Sequence, residues 1–137
     1  MNRPTNNEIG KAWTAYILGE LFESWPATLN FNILDTSQAT GVAPAEDEEI
    51  EFFISLTDWL RDNGYISFEQ SSENQVYNVA LTEKGFAILD EKPIGTERSL
   101  GTRMKEAATT AGKDAGRAVI ASLVGAMVST AVTALKS

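Results

Sequence analysis

Carboxylates are the groups in this chain whose spacing suits chemistry best. Asp47, Glu48 and Glu51 share one face if the segment around them is helical, and Glu20 with Glu23, or Asp58 with Asp62, can do the same. Carboxylates so placed hold divalent cations or divide acid and base roles between them. Here nothing converges with them. No histidine and no cysteine occurs among the 137 residues. That removes Ser-His and Cys-His nucleophile systems, thiolate metal sites and disulfides from anything this chain does alone. Gly95 and Gly101 match no phosphate-binding or dinucleotide loop. The acidic residues therefore read as solvated surface, and those at 46–49 as charges opposing the positive end of a helix dipole. The expectation is no enzyme, no metal and no cofactor.

The other chemistry available is apolar association. From Ala118 to Leu135 the chain reads AVIASLVGAMVSTAVTAL with no charge, while Lys113 and Arg117 precede it and Lys136 follows. As a helix this run is roughly 27 Å long at about 1.5 Å per residue, marginal against a hydrocarbon core of about 30 Å. Ile120, Val124, Met127, Val128, Ala131 and Leu135 form a bulky ridge at helical spacing, with Leu123 and Val132 also strongly apolar. Ala121, Gly125, Ser129 and Thr133 form a column of small residues at steps of four, of the kind that lets helices approach closely. Three uses follow: docking on the chain's own body, self-association, or contact with a membrane surface. The residues expected at an oligomer or membrane contact are Ile120, Leu123, Val124, Gly125, Met127, Val128, Val132 and Leu135.

The elements that position these groups follow from pattern. Thr5-Asn6-Asn7-Glu8 has capping-box spacing, and Ile9, Ala12, Trp13, Tyr16, Ile17 and Leu21 make one apolar stripe of a helix that ends before Trp25-Pro26. Residues 28–33 alternate as a strand with Leu29, Phe31 and Ile33 on one face. Asp35 to Gly41 reads as a turn with room for a single helical turn. Pro44 opens a helix in which Ile50, Phe53, Leu56 and Leu60 face inward, Trp59 lies off that stripe toward a partner, and Asn63-Gly64 stops the helix. A hairpin follows, 65–69 and 75–81 with a polar tip at 70–74, then a helix capped by Thr82 over 83–89. Residues 93–101 read as a linker, and 102–137 as a single C-terminal apolar helix.

Leu60-Arg61-Asp62-Asn63-Gly64-Tyr65-Ile66, followed by Val79-Ala80-Leu81-Thr82-Glu83-Lys84-Gly85-Phe86, resembles the helix exit and the wing exit of MarR-like and PadR-like winged-helix regulators, over about residues 5–92. The resemblance implies an α+β winged-helix domain at 1–92, ahead of the linker and the C-terminal helix. It also implies DNA binding through the helix before the hairpin, and dimerisation through terminal helices. This sequence departs from the pattern where DNA would sit. The recognition-helix segment carries Glu46, Asp47, Glu48, Glu49 and Glu51 with Arg61 as its one cation, and the wing tip is acidic through Glu69 and Glu73.

Charge distribution carries the same message. Residues 1–92 hold five basic and sixteen acidic side chains, residues 93–137 six basic and three acidic, within a net charge of −8. Duplex binding releases counterions through Lys and Arg, which in the body are outnumbered more than three to one by carboxylates. The functional expectation is a non-catalytic protein-interaction module whose C-terminal helix mediates oligomerisation or membrane association, with a DNA-binding regulator as the alternative. Its partner is another protein or a second copy, and Glu46, Asp47, Glu48, Glu49, Glu51 and Trp59 form the expected partner surface. The polar opening MNRPTNNEIG shows no secretory signal, so a cytoplasmic location is expected, at a membrane if the C-terminal helix binds one.

Overall fold

Thr5 and Glu8 begin the first helix as their spacing predicts: the Glu8 amide donates to Thr5 Oγ1 at 3.1 Å and the Thr5 amide to Glu8 Oε1 at 2.9 Å. Helix α1 spans Asn6–Ser24. The computed structural model describes residues 4–92 and 97–136, and the side chains of the last helix as far as Ala131. The chain continues with β1 (Leu29–Asn32), α2 (Ile33–Thr40), a 3-10 turn at Glu46–Glu48 and α3 (Glu49–Asp62). Next come β2 (Ile66–Ser67), β3 (Gln70–Ser71), β4 (Gln75–Leu81) and α4 (Glu83–Leu89). Helices α5 (Leu100–Ala108) and α6 (Asp114–Lys136) complete it. The fold is α+β, with a small antiparallel sheet among helices.

β4 is the centre of the sheet. β1 lies on one side with Leu29 opposite Val79 and Phe31 opposite Val76, and β2 on the other with Ile66 opposite Leu81. β3 pairs with β4 through Gln70 and Tyr77, so part of the expected polar tip is strand. Two expectations for this region need correction. Ile33 is not the last strand residue but the first of α2, because Asn32 Oδ1 accepts the Asp35 amide at 2.7 Å and caps a helix there. The expected turn at 35–41 is two turns of helix, closed by Gly41 at φ 76°. After Ile33 its inner face is polar: Thr36 and Thr40 are buried and donate back to Asn32 O and Thr36 O, so no apolar period announced it.

α1 is central. Its expected stripe is buried except for the half-buried Tyr16, and Ala15, Leu18 and Gly19 are buried too, because elements cover it on more than one side. α5 lies against it so closely that a Cβ on Gly19 would sit 2.6 Å from Lys105 Cα, and one on Gly101 would sit 2.5 Å from Phe22 Cγ. α5 begins inside the expected linker, with Ser99 Oγ capping the Thr102 amide at 3.3 Å; residues 93–96 lie outside the described residues. The expected single C-terminal helix is two helices. A turn at 109–113 separates them, in which Thr110 and Lys113 amides donate to Ala107 O and Thr110 O. The break lets the second helix fold back, so that Ile120, Leu123, Met127 and Ala131 join the core that contains α1.

Arg117 secures that return. Its side chain is buried, 8% exposed, with Nε 3.2 Å from Glu8 Oε2, Nη1 donating to Ala111 O at 2.9 Å, and an ion pair to Asp114. The Thr5 amide bond first, and Arg117 second, hold the Glu8 carboxyl below its ordinary value of 4.5. A depressed carboxylate contributes stability above its unfolded pKa and loses it as pH falls through the folded value. The melting-temperature difference between wild type and Glu8→Gln should therefore be constant from neutrality down to about pH 5.5 and shrink to nothing in stronger acid. Gly19→Ala should cost about 1–3 kcal/mol, read by urea unfolding, because the obstructing atoms are backbone and cannot swing aside.

Candidate interaction surface

α3 turns three side chains into the core, Phe53, Thr57 and Leu60, and leaves two flanks outside it. The apolar stripe expected on this helix is only partly right: Leu56 is half-buried and Ile50 is 45% exposed. Ile50 sits in the first turn of α3, ahead of the point where the helix reaches the core, and Thr57 takes the inward position at the next turns. The Thr57 hydroxyl satisfies itself on Phe53 O at 3.0 Å, which is how a polar residue occupies that place.

One flank of α3 forms a wall of a groove of about 650 Å3. Phe52, Leu56 and Trp59 supply its apolar surface from α3, and Val124 and Val128 face them from α6. The third side is the start of α1, with Asn6, Asn7, Lys11 and Thr14. Each aromatic is held from behind. Phe52 meets Trp13 edge to face at 5.3 Å between ring centroids, and Trp59 lies at 5.8 Å from Tyr65. Trp13 itself is fully buried and donates from Nε1 to Val42 O at 2.9 Å. Glu48 and Glu51 stand on the α3 lip. Trp59, 43% exposed, is where its position off the stripe predicted.

The expected contact residues of the C-terminal helix divide. Ile120, Leu123, Val124 and Met127 point inward, at most 7% exposed, and are consumed by the chain's own core. A contact to another molecule therefore cannot use Ile120, Leu123 or Met127 while the helix is docked, and reaches Val124 only at the edge it lends to the groove. Gly125 and Val128 are outward, and the side chains of Val132 and Leu135 lie outside the described residues. What the helix shows to solvent over Ala118–Ser129 is Ala118, Val119, Ser122, Gly125, Ala126, Val128 and Ser129, with no charge among them. A Cβ on Gly125 would meet nothing within 4 Å. Among the described residues no helix is long and apolar enough to cross a membrane.

Glu46, Asp47 and Glu48 are exposed in the 3-10 turn with Glu49 beside them, and Glu51 is exposed on α3. Among the described residues no three carboxylates come together to hold a metal ion. Arg61, the cation of α3, is engaged: it pairs with Asp58 at 3.2 Å and Asp62 at 3.4 Å, and its guanidinium lies 4.8 Å from the Phe68 ring. The passage from β4 into α4 is explained locally. Thr82 Oγ1 accepts the Gly85 amide and donates to Gly64 O, and a Cβ on Gly85 would lie 2.2 Å from Tyr65 O. These contacts tie the end of the hairpin to the end of α3.

The groove was not legible beforehand, since its walls come from residues 6–14, 48–59 and 124–128. The signals available in advance were Trp59 off its stripe and the valines of the terminal helix. No family model matches this chain, and neither does any curated protein or solved structure.

Proposed function

We propose that this protein is a non-catalytic interaction module that self-associates through the outward face of α6. One observation carries the reading: a helix face exposed from Ala118 to Ser129 presents small and apolar side chains and no charge. An exposed helix face is ordinarily where Lys, Glu and Arg collect. A face of Ala, Ser, Gly and Val instead suits a second backbone at close range, and Gly125 leaves the space for it. The strip is modest in size. Twelve residues at about 1.5 Å make roughly 18 Å, and about 10 Å of width gives near 180 Å2, well below the ~800 Å2 per partner of a standard interface. The association is accordingly a weak, concentration-dependent one.

The body is read as a winged-helix domain. Supporting this are the order α1, β1, α2, α3, hairpin, α4 and a sheet in which the second long hairpin strand lies between β1 and β2. The same order favours DNA binding as the second reading. Against it stand the exposed carboxylates at the start of α3 and the engagement of Arg61 by Asp58, Asp62 and Phe68. A phosphate backbone would meet negative charge there.

Multi-angle light scattering across about 5–200 µM should show the wild-type chain passing from monomer to dimer, matching a weak interface. Gly125→Glu should stay monomeric over the same range. Its melting temperature should be unchanged or slightly higher, since glycine costs a helix interior about 1 kcal/mol relative to better formers. A wild type that stays monomeric throughout overturns the reading, and flotation of that monomer with anionic liposomes transfers the role of α6 to a membrane surface. Salt-sensitive micromolar binding to random duplex DNA would favour the second reading.

A further inference from the structure

The groove between α1, α3 and α6 meets the outward face of α6 at Val128 and otherwise uses different residues. Val124 and Val128 form its wall, while Ser122, Gly125 and Ser129 are offset from them around the helix, successive residues turning by about 100°. Its shape is a trough rather than a chamber. The α3 wall extends from Glu48 to Trp59, about 16 Å at roughly 1.5 Å per residue, or three helical turns. An apolar floor of that length, open to solvent, matches the side chains that an amphipathic helix presents at i, i+3 or i+4, and i+7.

The charges on the lips identify the visitor. On the α3 lip stand Glu48 and Glu51, with Glu46, Asp47 and Glu49 beside them, and none of these has a salt-bridge partner among the described residues. On the α1 lip the polar groups are Asn6, Asn7 and Thr14, with Lys11 as the charge. The geometry points to a basic amphipathic helix as the occupant, from a partner protein, laid along the trough with Lys or Arg against Glu48 and Glu51 and a neutral or acidic edge toward Lys11. Apolar anchors on Phe52, Leu56, Trp59, Val124 and Val128 supply affinity. The unequal lips fix the rotation of the helix about its own axis, because turning it over would bring its basic edge against Lys11.

The test uses the full-length chain and fluorescein-labelled helical peptides of about 18 residues, five turns, long enough to span the trough. One peptide carries an apolar i, i+3, i+7 stripe with lysines along one edge; a second has glutamates in place of those lysines. Anisotropy should show micromolar binding of the basic peptide alone. Glu48→Gln combined with Glu51→Gln should weaken it about tenfold and flatten its salt dependence. Ser55→Arg, an exposed site in the trough whose change leaves the core untouched, should abolish it. Failure of the basic peptide to bind, equal binding of the acidic peptide, or indifference to either variant set overturns the assignment. So does dissociation of a wild-type dimer by Ser55→Arg, which would give the trough to a second copy. Gly125→Glu should leave peptide binding unchanged, so that loss of self-association and loss of peptide binding are read separately.

Discussion

The contact on which the rest of the structure depends is the close seating of α5 and α6 on α1. Without them, α1 would need one apolar face toward the sheet and α3, and a polar face toward water. Instead Ala12, Ala15, Leu18 and Gly19 are buried alongside Trp13, Ile17 and Leu21. A helix with apolar residues nearly all round must be covered nearly all round. Gly19 and Gly101 let α5 come within backbone distance, and the turn at 109–113 then sends α6 back across the same helix. Arg117 joins the start of α6 to the start of α1 through Glu8, with its remaining hydrogen bonds taken up by Ala111 O and Asp114. A buried guanidinium is tolerated only when its donors are used, and this one is ringed by acceptors.

That seating changes what the terminal apolar run is for. Its bulky ridge satisfies the demand for an apolar partner inside the chain, through Ile120, Leu123, Val124 and Met127. What stays outside is thinner and of different chemistry: small side chains, two exposed valines and a glycine with free space over it. The proposed self-association therefore rests on the absence of charge on an exposed helix face rather than on hydrophobic bulk. The groove arises from the same event, since α6 supplies the wall opposite α3 and leaves a trough between them.

Legibility in the sequence was uneven, and the unevenness has physical causes. Helix α1, the helix stop at Asn63-Gly64 and the capped start of α4 were readable because each rests on neighbouring residues: a capping box, a glycine at φ 81°, and a threonine accepting an amide three residues on. Helix α2 was hidden because, after Ile33, its buried positions are Thr36 and Thr40, whose hydroxyls return to the backbone and imitate a loop composition. The inward placement of Ile50 failed for a tertiary reason. The start of α3 stands clear of the core, and no local pattern encodes how far a helix overhangs its support. The break between α5 and α6 lies in a run of Thr, Ala and Gly that is permissive of either outcome, and only the return of α6 onto α1 decides it.

What the amino-acid sequence determined by itself was the chemistry available. The chain has no imidazole and no thiol, its body is acidic, and the run from Ala118 to Leu135 carries no charge. Those are properties of composition and short-range spacing, and folding does not alter them. What only the tertiary structure decided was which apolar residues remained for another molecule. The three walls of the trough lie more than thirty residues apart along the chain, and between Ala118 and Leu135 neither the bulky nor the small-residue face of α6 carries a charge. Which of those faces meets the core is settled by shape against α1 and by the reach of Arg117 to Glu8, and both are properties of distance in space.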